Sequence, residues 1–404
     1  MTNRKVIKVV AIVVGSMLSL FLVFCIYVNW LFKVMDNASL IKDSEAREIP
    51  FYWSETGHMV VEVVIDNKKF PFIIDSGAGT IIFPNFLELQ KAAYIGPGFA
   101  MGAGGGFIFP SIHRIDTVRI TDITFCDVSA VSIEEIPTPC LDEVYGIIGK
   151  DIMRHLIWQI DFKKKIITIA SKKNQLIFGS NKEIIPLEES QLSHHLYTTV
   201  KIDSSRFIKK VMIDTGNNGF LSTNFRQVDT SKLKTKQIRM IGSSMAGLDG
   251  KLEEQSVYQA VEYLQIGNVK APNSTIHISN LPVSFLGISF LENYKTTISW
   301  KDKELILESY GNPYFGIEGF GYSDTFDETK NAVIVDGVLE GLQADSLGIQ
   351  TGDVILHING QAMDNTHKYC YFDYSGVEEL TLDLMNQDGM IRQVTLERRE
   401  YFPQ

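Results

Sequence analysis

Apolar residues fall along this chain in distinct rhythms. From Val9 to Phe32 they run for 24 residues without a charge, long enough at 1.5 Å per residue to cross a hydrocarbon core of about 30 Å. Beyond Met59 the runs shorten to strand length. The stretch HMVVEVVIDNKKFPFII sets two apolar segments around Asp-Asn-Lys-Lys, a hairpin signature, and FKKKIITIA and WKDKELILE read the same way. Helical periodicity is confined to short segments, the best being GKDIMRHLI and ISFLENY. The pattern predicts a mainly β protein preceded by one transmembrane helix.

Arg4, Lys5 and Lys8 precede the long apolar run and Lys33 follows it. The positive-inside tendency then keeps the N-terminus cytoplasmic and the remainder extracytoplasmic, periplasmic or extracellular. A cleaved signal peptide is the competing reading. The length of the run, and the lack of a small-x-small site between Asn29 and Lys33, favour an uncleaved anchor. Bulky Phe24 before Cys25 argues against lipidation at that thiol.

An internal repeat organises the middle of the chain. FPFIIDSGAG and KKVMIDTGNN each end an apolar strand in Ile-Asp-[Ser/Thr]-Gly. YGIIGKDIMRHLIWQIDFKKKIITI then matches SFLGISFLENYKTTISWKDKELIL without a gap, pairing Gly149 with Gly287, Phe162 with Trp300 and Lys165 with Lys303. Asp75 to Gly149 is 74 residues and Asp214 to Gly287 is 73. The expected organisation is an anchor over 1–33, a linker over 34–50, one β lobe over 51–178, a connection over 179–195, a second lobe over 196–308 and a small unit over 309–404.

Bulk properties narrow the function. The 404 residues carry a formal charge of −10 and gather no long basic face, which excludes nucleic acid as an expected partner. The four cysteines, Cys25, Cys126, Cys140 and Cys370, are too few and scattered for a disulfide scaffold or a zinc site. One bridge between Cys126 and Cys140 is the pairing left open. His194, His195, His58, His113 and His277 show no metal spacing and read as solvated or linker residues; no metal and no cofactor is expected. Asp353, in TGDVI, reads as a turn residue.

Asp followed by a small hydroxyl residue and Gly forms a tight turn whose amides can face the carboxylate. One copy is an ordinary turn. Two copies at equivalent places in a duplicated body predict that Asp75 and Asp214 meet and share one water. Two such carboxylates cannot both ionise freely, so the pair holds one proton over an acidic to near-neutral window. One member then takes a proton from water while the other polarises a peptide carbonyl.

These features resemble pepsin-like and retroviral (retropepsin-like) aspartic proteases fused in one chain, over about 51–308. The resemblance rests on Asp75-Ser76-Gly77-Ala78, Asp214-Thr215-Gly216-Asn217, Ile147-Ile148-Gly149 and Phe285-Leu286-Gly287. It implies a two-lobed β-barrel acid-protease fold, with catalytic Asp75 and Asp214 supported by Ser76, Gly77, Thr215 and Gly216. It further implies that each hydroxyl bonds across to the opposite loop, and that the catalytic unit is a monomer. Asn217 departs from the small residue usual at its position. Met101, Gly102, Ala103, Gly104, Gly105, Gly106 and Phe107 resemble the glycine-rich flap that closes over substrate; IGSSMAGLDG occupies the matching place in the second half.

Residues 309–404 resemble a PDZ domain of the bacterial protease type, on Tyr314-Phe315-Gly316-Ile317, VLEGLQADSLGI and GDVILHING. The likeness implies that Tyr314 to Ile317 hold a peptide C-terminal carboxylate. The combined expectation is a membrane-anchored aspartic endopeptidase acting on protein or peptide substrates. A catalytically silent scaffold whose work is PDZ-mediated binding is the alternative. An intramembrane protease is disfavoured, because the apolar span holds no Asp.

Overall fold

The computed structural model describes residues 3–35, 37–41, 45–136, 138–204, 206–243, 246–247, 250–251, 256–311, 313–374 and 376–403. The protein is mainly β, built of β-barrels with a PDZ-type unit at its C-terminal end and one apolar helix at its N-terminal end. That helix, Asn3–Met35, is long and apolar enough over Val10–Met35 to cross a membrane. A signal sequence has the same properties. Its last turns rest on the first lobe: Leu31 is buried and the Tyr27 hydroxyl donates to the Pro97 carbonyl.

The repeat read in the sequence is a repeat in space. In the first half, strands Met59–Ile65 and Lys68–Ile74 form a hairpin whose turn residues Asp66 and Asn67 adopt left-handed angles (φ 49° and 62°), as a short twisted turn requires. In the second half, Leu196–Ile202 and Arg206–Ile213 do the same, with Asp203 at φ 54°. Strand Gly146–Ile148 lies parallel to Lys68–Ile74, with Ile148 beside Ile74. Strand Ser284–Leu286 lies parallel to Arg206–Ile213, with Leu286 beside Ile213. One-turn helices Lys150–Met153 and Ile288–Leu291 follow, each capped by the glycine of its motif.

The two halves join underneath in one six-stranded sheet. Ile157–Asp161 pairs antiparallel with its own repeat equivalent Tyr294–Ser299, setting Trp158 against Ile298. One apolar core runs through both halves and contains Phe72, Trp158, Phe290 and Trp300. This continuity fixes the halves relative to each other, because apolar surface on both sides of the seam would otherwise face water.

The C-terminal unit has its own core around Val333, Ile355 and Leu382. It is nevertheless stitched to the rest, among other contacts by a strand pairing and a disulfide. Strand Gln237–Gly242 of the second half pairs with Ala332–Leu339, setting Met240 against Leu339. A disulfide joins Cys140, on a short turn of the first half, to Cys370, at the end of helix Thr366–Cys370.

That bridge corrects the Cys126–Cys140 pairing considered from the sequence. Cys126 is a free thiol in a strand, set between Ser39 and Thr117. Cys140 sits on a turn facing the C-terminal unit, and pairing needs Cα atoms within about 7 Å. The Cα atoms of Cys140 and Cys370 are 5.1 Å apart although 230 residues separate them in the chain.

Candidate active site

Each catalytic-type loop begins where a strand loses its ladder partners. Asp75 N–H donates to the Ile148 carbonyl and Asp214 N–H to the Leu286 carbonyl, so both aspartates sit one residue beyond the paired strands. The chain then turns back, and its amides face the carboxylate. Asp75 Oδ1 accepts from Gly77 N at 2.7 Å and Ala78 N at 3.1 Å. Asp214 Oδ1 accepts from Gly216 N at 2.9 Å.

The hydroxyl residues lock the loops together reciprocally. Ser76 Oγ donates to the Ile213 carbonyl (2.8 Å) and accepts from Thr215 N (3.0 Å). Thr215 Oγ1 donates to the Ile74 carbonyl (3.1 Å) and accepts from Ser76 N (3.0 Å). Both residues are buried, so four backbone groups that would be orphaned at the seam are satisfied.

Glycine is needed at Gly77 and Gly216 for a steric reason. A Cβ on Gly77 would sit 2.5 Å from the Asp214 carboxyl, and one on Gly216 would sit 2.2 Å from that of Asp75. Each carboxyl therefore packs against the glycine of the opposite loop, close enough for the two acids to influence each other's ionisation. Burial raises the pKa of both, and Asp214 rises well above the ordinary carboxylate value because the Asp75 charge adds to its burial. At Asp75 the loop amides of Gly77 and Ala78 oppose the rise.

Asn217 is accounted for by local geometry. Its side-chain oxygen accepts from Gly219 N at 2.8 Å, closing a turn within the loop, while its backbone amide faces Asp214. The segment Met101 to Phe107 forms a hairpin in which strands Ala100–Met101 and Phe107–Ile108 pair. Gly102 and Gly106 bond across it, and Gly105 takes a left-handed angle (φ 93°). The tip reaches the second half, where Ala103 packs on Met212, Leu281 and Phe285, and Gly105 faces Pro282. The other glycine-rich segment, 241–250, lies partly outside the described residues.

Comparison with known families follows this geometry. The family described as aspartyl protease matches residues 61–152, and that described as PDZ domain matches residues 304–369. The chain carries an aspartyl protease domain and a PDZ domain. The protease match includes Asp75 but ends before Asp214. A search of curated proteins gives no match. Among solved structures, basic 7S globulin from soybean is 11% identical, covering 65% of this chain and 94% of its own, with a TM-score of 0.39.

Within the PDZ domain Tyr314 to Ile317 have divided surroundings. Phe315 is 5% exposed and packs on Phe220 and Phe290, and Tyr314 N–H donates to Asn293, yet the Tyr314 side chain is exposed and all four residues border a cavity of about 500 Å³. The loop that enters strand Tyr322–Asp327 is Phe320-Gly321. Beside it lies a cavity of about 250 Å³ bordered by Phe320, Asp324, Tyr374 and the Arg398 side chain. Tyr369 and Tyr374 hydroxyls hold the Asp324 carboxylate, and Tyr369 also donates to its backbone carbonyl.

The histidine readings also change. His277 is buried against Tyr258, and burial pulls its pKa down to about 4. His58 and His195 contact the catalytic-type loops instead of facing solvent. Their signal was in the sequence: [Ser/Thr]-x-His stands immediately before the first strand of each half, at Thr56–His58 and Ser193–His195. Asp151 was missed as well. It is fully buried, accepts from Thr80 N at 2.7 Å, and has its pKa pushed up to about 6 by burial.

Proposed function

We propose that this protein is a membrane-anchored aspartic endopeptidase whose dyad is Asp75 and Asp214. The observation that carries the reading is the reciprocal Ser76–Thr215 lock, which brings two raised-pKa carboxyls together at the seam of a duplicated body. One water between the carboxyls would lose a proton to the ionised member. The protonated member would donate to the peptide carbonyl, and the resulting diol would collapse to acid and amine. Burial raises both carboxyls and their mutual repulsion favours one shared proton, so the titration belongs to the pair.

The same reading assigns residues 51–178 and 196–308 to the protease lobes, 179–195 to their connection and 309–404 to the PDZ module. Met101 to Phe107 act as the flap. Helix Asn3–Met35 serves as an uncleaved anchor, and the Cys140–Cys370 bridge supports an oxidising, extracytoplasmic side for the lobes. We assign peptide C-termini to the Phe320-Gly321 loop and the neighbouring Arg398, whose guanidinium supplies the charge a carboxylate requires.

The test is incubation of the full chain, in detergent, with a diverse peptide mixture from acid to neutral pH, read by mass spectrometry. Cleavage by wild type that disappears in both Asp75→Asn and Asp214→Asn supports the reading. No cleavage at any pH, with intact peptide binding by the PDZ module, supports a silent scaffold instead.

A further inference from the structure

Hydroxyl residues are not the only groups that tie one catalytic loop to the opposite half. His58 Nε2 lies 3.1 Å from the Gly216 carbonyl oxygen, and His195 Nε2 lies 2.9 Å from the Gly77 carbonyl oxygen. His58 immediately precedes strand Met59–Ile65 and His195 immediately precedes Leu196–Ile202, which are equivalent strands of the repeat. Each ring therefore reaches across the seam to the glycine that follows the other half's Asp-[Ser/Thr] pair.

The chemistry at the far side of each ring is also repeated. His58 Nδ1 is 2.7 Å from Thr56 Oγ1, and His195 Nδ1 is 3.0 Å from Ser193 Oγ, in both cases the hydroxyl two residues earlier. A backbone carbonyl only accepts, so each ring carries a proton on Nε2, and in the neutral ring Nδ1 then accepts from the hydroxyl. The neighbouring hydroxyl thus selects the tautomer that can hold the glycine carbonyl. On the first-half side a further tie exists: Asn218 Nδ2 donates to the Thr56 carbonyl at 2.6 Å.

We propose that His58 and His195 are a crossed pair of positioning residues, each holding the catalytic loop of the other half in register through its glycine carbonyl. The Ser76–Thr215 lock fixes the start of each loop, next to the aspartates. The histidines fix the following glycine, whose Cα packs directly on the opposite carboxyl. A loop released at that glycine would let the carboxyl-to-carboxyl spacing drift. The catalytic consequence rests on the dyad reading; the structural clamp does not.

Hydrogen exchange read by mass spectrometry on the full chain in detergent tests the clamp without reference to activity. His58→Ala should speed exchange in the segment 214–219 more than in 75–80. His195→Ala should do the reverse. Gln at either position keeps a donor near the Nε2 site and should restore most of the protection. Thr56→Val and Ser193→Ala leave the ring but remove the tautomer partner, and should give the same crossed pattern in weaker form; they decide the matter where an Ala variant does not fold. Loosening confined to the mutated half, or no change in either loop, overturns the proposal.

Kinetics separate this inference from the dyad. The Ala variants should lose about 10-fold to 100-fold in kcat with KM nearly unchanged, because a misplaced reacting group slows chemistry more than binding. Wild-type kcat in His58→Ala and His195→Ala, beside an inactive Asp75→Asn, would sink the clamp's positioning role in catalysis and leave the dyad standing. Inactive wild type with the crossed exchange pattern would do the opposite.

Discussion

The two loops that meet at the seam are alike in their lock and unlike in their charge. Ser76 and Thr215 make the same pair of bonds in opposite directions, with no distance differing by more than a few tenths of an ångström. Around Asp75, however, two amides donate to one carboxylate oxygen. Asp214 is more deeply opposed to ionisation, since its burial is compounded by the charge of Asp75. A duplicated backbone therefore supplies position, and small differences in side chains and amides make the surroundings of the two carboxyls unequal.

The comparison continues below the loops. Two residues after the motif glycine the first half has Asp151 and the second has Ser289. Asp151 takes the Thr80 amide, while Ser289 Oγ donates to the Asn218 carbonyl at 2.6 Å. Each ties down the far end of its loop. Only the first half does so with a titratable group.

The largest effect expected from breaking the comparison is chemical. Asp75→Asn and Asp214→Asn should each lower peptide cleavage by about 10²-fold to 10⁴-fold, measured as initial rates on one peptide substrate. A variant that keeps normal rates would show that the halves do not act as a pair. Next come Ser76→Ala and Thr215→Ala, each of which strands a buried amide of the opposite loop. A loss of about 1–3 kcal/mol in urea unfolding is expected for each, with the double variant losing less than the sum because the bonds form one network.

Asp151 gives an effect of similar size that depends on pH. Its folded pKa is raised from 3.8 to about 6, so the folded protein holds this proton more tightly than the unfolded chain. Its contribution to stability is complete below about pH 4 and is lost as pH rises through about 6, a change of roughly 2–3 kcal/mol. Asp151→Asn should flatten that part of the stability profile. An unchanged slope would mean that the carboxyl is not held protonated.

Activity should respond to pH through the pair itself. It should fall at high pH as the shared proton leaves, and at low pH as the second carboxyl also becomes protonated, giving a bell in kcat/KM. The smallest effect is expected at Asn217. Because its backbone amide, not its side chain, faces Asp214, Asn217→Ala should leave the high-pH limb nearly in place while costing about 0.5–1.5 kcal/mol for the lost turn bond to Gly219. A large shift of that limb would place the side chain on the dyad after all.

Much of this was legible in the sequence because duplication writes the same signal twice. The hairpin, the Asp-[Ser/Thr]-Gly turn and the apolar-apolar-Gly strand each occur in both halves, and each corresponds to a repeated feature of the fold. What was hidden depends on contacts between segments far apart. Cys140 meets Cys370 only because the C-terminal unit docks on the first half. Phe315 packs on Phe220 and Phe290, and its sequence neighbourhood gives no hint of them. His58 and His195 were readable in principle, since their hydroxyl partners recur at the same spacing, but a search tuned to metal ligands passes over them.

The most direct test of the account is a structure of the full chain bound to a statine-type peptide, whose hydroxyl mimics the attacking water. The account predicts that hydroxyl between Asp75 and Asp214, within about 2.5–3.0 Å of an oxygen from each, with the Met101–Phe107 hairpin over the inhibitor. An inhibitor hydroxyl that touches only one of these carboxyls, or binding away from the seam, would contradict it.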